Sequence, residues 1–124
     1  MAEYGEPVVM RVGERKVMLL PVVYAKLLGS KWLVKGFVEV YIEAWREPEP
    51  HVYMRVWRVE EREVEVGELG SAVEVVMAVT SAKARELAEA LKRDAAHVRD
   101  IEIAGTAVYF CSLPAEIREL WSKN

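Results

Sequence analysis

From Phe37 to Trp45 the chain alternates. Val38, Val40, Ile42 and Ala44 form one set; Phe37, Glu39, Tyr41, Glu43 and Trp45 form the other. A period of two marks a β-strand, whose side chains point to opposite faces in turn. The run Arg46–Pro50 holds two prolines and breaks the pattern. Beyond it, Val52, Met54 and Val56 alternate with His51, Tyr53, Arg55, Trp57 and Val59. The two strands predict a hairpin with Trp45 opposite His51. Glu43 then faces Tyr53, Tyr41 faces Arg55 and Glu39 faces Trp57, while the aliphatic rows meet on the reverse. In that register all the aromatic rings share one side.

The flanking segments extend the picture. Pro7–Val12 and Val17–Leu20 predict a second hairpin around the turn Gly13–Lys16. Pro21 lacks an N–H for a ladder, so the strand is expected to end there. Pro21–Gly29 then reads as a short helix, with proline at its start and glycine at its stop, although its valines also permit a strand. Val59–Val66 is an acidic strand, and Gly67–Gly70 a turn. Ser71–Val79 is apolar enough for a strand buried on both faces.

Thr80 or Ser81 can cap a helix whose stripe is Ala84, Leu87, Ala88, Leu91 and Ala95. Val98–Ile103 and Ala107–Cys111 follow as strands. Ser112 and Pro114 open a last helix bearing Leu113, Ile117, Leu120 and Trp121. The sum is one compact α+β domain over residues 1–124, with a largely antiparallel sheet and two or three helices packed on one face. Strand, helix and strand over 71–103 also admit a ferredoxin-like βαβ unit.

Composition narrows the setting. The 124 residues are 52% hydrophobic and 30% charged, which suits a packed core under a solvated surface. No apolar run approaches the roughly 18–20 residues that cross a bilayer, and the N-terminus has no signal-peptide pattern, so a cytoplasmic protein without a membrane partner is expected. Gln is absent, Asn occurs only at Asn124, and Asp only at Asp94 and Asp100. Abundant Glu, Lys and Arg with few labile amides is a thermophile pattern. In this general character, and by no motif, the chain is similar to small accessory proteins of hot-spring archaea. The arcadins encoded beside the actin-like crenactin, which have no enzymatic signature, exemplify one setting for such a module.

The net charge of −3 is unevenly spread. Residues 1–36 hold six Lys and Arg against three acids; residues 37–80 hold four against ten. Duplex-binding proteins carry a basic stripe, because phosphate contacts supply most of their affinity. The acidic middle disfavours nucleic acid.

Catalytic signatures are missing. His51 and His97 have no ligand-spaced Cys or Asp near them. Gly67 and Gly70 match no phosphate-binding loop, and no nucleophile elbow occurs. Cys111, the one cysteine, lies in an apolar run and is expected to be a small buried side chain. Glu39 and Glu43, two positions apart on one strand face, could do acid–base work on a sugar, but with Arg55 diagonal to both they read as an ion-pair ladder. No cofactor or metal is expected, nor enzymatic activity.

What remains is the aromatic side of the hairpin: Phe37, Tyr41, Trp45, Tyr53, Arg55 and Trp57. It has three readings. A helix, such as the one bearing Trp121, covers it as a second core. It is an interface for a second copy or a protein partner, built from residue types that dominate hot spots. Or it stacks the bases of single-stranded nucleic acid, against the repulsion of Glu39 and Glu43. The expected function is a non-enzymatic, self-associating contact module, with single-stranded nucleic-acid binding as the alternative.

Overall fold

The computed structural model describes residues 1–122. Its strands are β1 (Ala2–Tyr4), β2 (Val8–Val12), β3 (Arg15–Leu28), β4 (Lys31–Ala44), β5 (His51–Glu65) and β6 (Thr106–Tyr109); its helices are α1 (Leu69–Arg93), α2 (Ala96–Ala104) and α3 (Ala115–Ser122). The sheet runs β1-β3-β4-β5-β6, with β2 beside the first half of β3, and every pairing is antiparallel. The class is therefore α+β as expected, but there is no ferredoxin-like βαβ crossover: α1 and α2 link β5 to its antiparallel neighbour β6. No described helix is long and apolar enough to cross a membrane.

Three long strands carry the architecture. Two-residue turns join β2 to β3 and β3 to β4, and each opens on a glycine at φ 61°, Gly13 and Gly29. A positive φ at the first turn position alone is the arrangement glycine supplies for tight hairpins. Pro21 does not end β3, and the expected helix at Pro21–Gly29 is strand instead. The Pro21 carbonyl accepts the Gly5 N–H at 2.9 Å, on the side of β1 and β2. A residue's N and C=O point the same way across a ladder, so the missing donor also faces that side, in the gap between β2 and β1. The pairing with β4 loses nothing. Residues 17–23 are buried on both faces, which explains their lack of polar alternation.

One face of the sheet lies under α1 and α2. Val17, Leu19, Val38, Val40 and Ile42 pack against Ala84, Ala88, Leu91, Val98 and Ile101. Farther up, Val23, Ala25 and Val34 meet Ala72, Val73 and Val76. The expected strand Ser71–Val79 and the helix after it are one long helix. Ala72, Val73, Val76, Thr80 and Ala84 recur at helical spacing and are buried, while Val75 and Val79 face solvent. Four valines suggested strand, but the spacing of the buried ones decides the structure. Val98–Ile103 likewise falls in α2: Val98 and Ile101 point inward and Ile103 outward.

α3 crosses to the reverse face, where Leu113, Ile117 and Trp121 cover Met18, Leu20, Val22, Tyr41 and Val52. The helices are thus split between the two faces rather than gathered on one. α3 covers only half of its face. Beyond Val22 and Phe37 that side of the sheet carries no helix.

Candidate contact surfaces

The β4–β5 hairpin forms, one residue out of the expected register. Ala44 pairs with His51, Ile42 with Tyr53, Val40 with Arg55 and Val38 with Trp57. On the other face Tyr41 pairs with Met54 and Glu39 with Val56. Paired residues of an antiparallel ladder share a face. The six nominated residues are therefore not one surface. Phe37 and Tyr41 lie on the α3 side; Tyr53, Arg55 and Trp57 lie on the α1–α2 side. Trp45 is in the loop, 66% exposed. Alternation fails to choose the register because both faces are core at this level. Val52 is needed with Tyr41 under α3, and Trp57 packs beside Val38 and Val40. Arg55 consequently stands on the face opposite Glu39 and Glu43, so the ion-pair ladder does not form.

Tyr41 belongs to the α3 core, together with Trp121. Its hydroxyl donates to Glu39 Oε2 at 2.6 Å, and Tyr24 donates to Glu39 Oε1 at 3.3 Å. Tyr4 donates to Glu116 Oε1 at 3.2 Å. Burial, then the Glu39 carboxylate, raises the pKa of both Tyr24 and Tyr41. Burial followed by Glu116 pushes Tyr4 up to about 12. These phenols are held neutral as donors, which makes the cluster a hydrogen-bonded border of the α3 core rather than a source of a base or nucleophile. Phe37 lies beyond that border, edge-on to Tyr24 at 5.8 Å between centroids.

The uncovered half of this face is an ordered array. Tyr24, Lys26 and Leu28 of β3 stand beside Lys35, Leu33 and Lys31 of β4, which stand beside Glu61, Glu63 and Glu65 of β5. A register shift at Gly36/Phe37 makes the acids fall here: past it, Gly36 pairs with Glu60 and Lys35 with Glu61. A shallow groove of about 330 Å³ runs between Tyr24, Lys26 and Leu28 on one side and Leu33, Lys35 and Phe37 on the other.

A second hollow, of about 270 Å³, opens between β5, α1 and α2. Val40, Leu91 and Ile101 form its apolar interior, with Trp57 and Leu87 as walls. Arg55, His97 and Asp100 stand at its rim. The Arg55 guanidinium lies 5.0 Å from the Trp57 ring centroid, a cation–π contact. His97 lies 3.4 Å from Asp94 and 3.9 Å from Asp100. The strand expected at 98–103 concealed this hollow, because only a helix brings His97, Asp100 and Ile101 to one wall.

Other expected features have plain structural places. His51 stacks on Tyr109 at 4.6 Å. Cys111 is exposed rather than buried, because β6 ends at Tyr109 and a 3₁₀ turn follows. Among the described residues no group of three His, Cys, Asp or Glu side chains is arranged to hold a metal ion. Unforeseen in the sequence is Glu102, a nearly buried carboxylate held by Arg15 and by Arg46, the latter at 3.1 Å. Its partners lie far away along the chain and carry no local signal. Comparison with protein-family models, curated proteins and solved structures gives no match.

Proposed function

We propose that the protein is a non-enzymatic contact module that pairs with a second copy of itself through the uncovered half of the α3-side face. The charge order of that half supports the reading. α3 stands on the other half of this same face, so the two copies stack with their strands crossing at a two-fold axis through Leu33, the centre of the patch, and each α3 passes beside the other sheet. The β5 row of each copy then runs across the three rows of the other. Glu63 meets Lys35 of the other copy's β4, and Leu33 meets its own image on the axis.

The patch spans about 20 Å along the strands and about 15 Å across them. That is about 300 Å² of flat face, below the roughly 800 Å² per partner of a standard interface. Association is accordingly weak and concentration-dependent. The composition supports a thermophilic, archaeal and cytoplasmic setting, in which such a module would serve as an accessory to a larger assembly such as an actin-like filament system. Tyr24 and Phe37 beside Lys26 and Lys35 also suit a stacked base, but Glu39, Glu61 and Glu63 on the same face weigh against a nucleic-acid backbone.

Sedimentation equilibrium between about 10 µM and about 1 mM covers the window of so small an interface. Wild type dimerises there. Lys35→Glu and Glu63→Lys each raise the dissociation constant by about tenfold or more, since each places like charges opposite. The double variant, with the charges exchanged, recovers most of the loss. A monomer throughout, or single variants as dimeric as wild type, contradicts the proposal. Oligonucleotide binding that weakens steeply with salt would favour the alternative.

A further inference from the structure

β5 is an edge strand for most of its length. β6 covers it only from His51 to Met54, and among the described residues no strand pairs with that edge from Arg55 to Glu65. The chain between α2 and β6 presses on the edge where this cover stops: a Cβ on Gly105 would lie 3.1 Å from the Met54 carbonyl oxygen. Past that point the backbone groups on the edge are open to a further strand.

Natural edges are guarded by charge, and most of this one is. Arg58 pairs with Glu61, Arg62 with Glu60 and Lys31 with Glu65. The guard stops short of Arg55–Trp57. Val56 is 47% exposed there, and among the described residues no carboxylate lies within salt-bridge distance of Arg55. This unguarded stretch is where the 270 Å³ hollow opens, with Arg55 and Trp57 as part of its lining. Arg55 and Trp57 share the face of Val40 and Val38, under the helices. A residue of an added strand standing opposite Trp57 would project to that same side.

We infer that the β5 edge beyond Met54 takes an extended segment of a partner protein, antiparallel to β5 and in line with β6, with one apolar side chain of that segment filling the hollow beside Trp57. The chemistry of the segment follows from its neighbours. The position opposite Trp57 is a large apolar residue. The segment ends there, because Gly105, bonded to the Thr106 that pairs with Met54, already occupies the line beside Arg55. Toward its N-terminus, on the other side of the strand, basic residues meet Glu61 and Glu63. Main-chain pairing supplies affinity and the alternate side chains supply selectivity, as in other cases of strand addition. The site borders the self-association face at Glu61 and Glu63; its hollow and its backbone edge lie outside that face.

The probe is a terminally blocked peptide, Lys-Thr-Lys-Thr-Thr-Phe, added to protein dilute enough to be monomeric. Amide hydrogen exchange is followed by mass spectrometry. The expected result is saturable slowing of exchange across Trp57–Glu63. Replacing Phe by Ala in the peptide, or Ala90→Phe in the protein, at a residue of α1 that also lines the hollow, weakens binding at least tenfold. Exchanging Lys for Glu in the peptide does likewise. The Phe-to-Ala peptide decides the matter on wild-type protein even if Ala90→Phe disturbs the fold. No slowing up to about 1 mM, or equal binding of the Phe and Ala peptides, overturns the inference. Protection of the same amides by raised protein concentration alone would assign the edge to a second copy and also overturn it.

Discussion

Gly36→Ala should destabilise the domain, although the same change in an open strand is favourable. Gly36 lies in β4 directly beneath α1. A Cβ built there falls 2.1 Å from Thr80 Oγ1 and 2.8 Å from Val76 Cγ1. Both side chains are fully buried, and Thr80 is tied to its own helix by a 2.6 Å hydrogen bond to the Val76 carbonyl. Neither atom is the far end of a flexible chain, so the helix must lift or the strand must sink. Overpacking of this kind costs about 1–3 kcal/mol. Lower entropy in the unfolded chain returns roughly 0.4–1 kcal/mol, which leaves a net loss of about 1–2 kcal/mol.

The closest contact is with one oxygen, so the cost should depend on it. Thr80→Ala removes that oxygen and a buried methyl, at about 1 kcal/mol by itself. In its presence Gly36→Ala should cost less, and the two changes should be coupled by about 1 kcal/mol. Urea denaturation followed by circular dichroism, on both single variants and the double, measures the coupling. A neutral or stabilising Gly36→Ala, or the same cost in both backgrounds, would refute the close seating of α1 on Gly36.

Alkaline stability tests the phenol cluster. Folding raises the pKa of Tyr41, so its contribution is complete below the unfolded value near 10 and is lost as pH rises above it, at about 1.4 kcal/mol per pH unit. Tyr41→Phe should flatten that decline in denaturant titrations run above pH 10. Glu102→Gln removes the charge holding Arg15 and Arg46; both guanidinium groups can rehydrate, so a loss of about 1–3 kcal/mol is expected in the same assay. Trp121→Ala, at a ring 3% exposed between α3 and the sheet, should cost about 3–5 kcal/mol by chemical denaturation and free Tyr41 to exchange.

Much of the sheet was legible, and the reasons for the misses are specific. Period-two alternation located β4 and β5 because Glu39, Glu43 and Arg55 still mark a strand when both faces are apolar. It could not choose between registers one residue apart, since aromatic and aliphatic rows are both core here. Pro21 misled because its effect depends on which side the absent N–H faces, which only the β1–β2 gap determines. In α1 and α2, valine and isoleucine favoured strand locally, and packing on the sheet prevailed. The hollow at Trp57 was invisible for the same reason. Residues Leu113 to Trp121 were read correctly, because a proline start and an i, i+4, i+8 stripe leave little room for another structure.

The self-association proposal predicts one proximity above all. Leu33 would sit on the two-fold axis, so a cysteine there would meet its own image. In a Cys111→Ser background, Leu33→Cys should form an intermolecular disulfide rapidly under mild oxidation, while Ala78→Cys, exposed on α1, should not. Non-reducing electrophoresis reads the result. Equal crosslinking at both positions, or none at residue 33 at millimolar protein, would contradict pairing through this face.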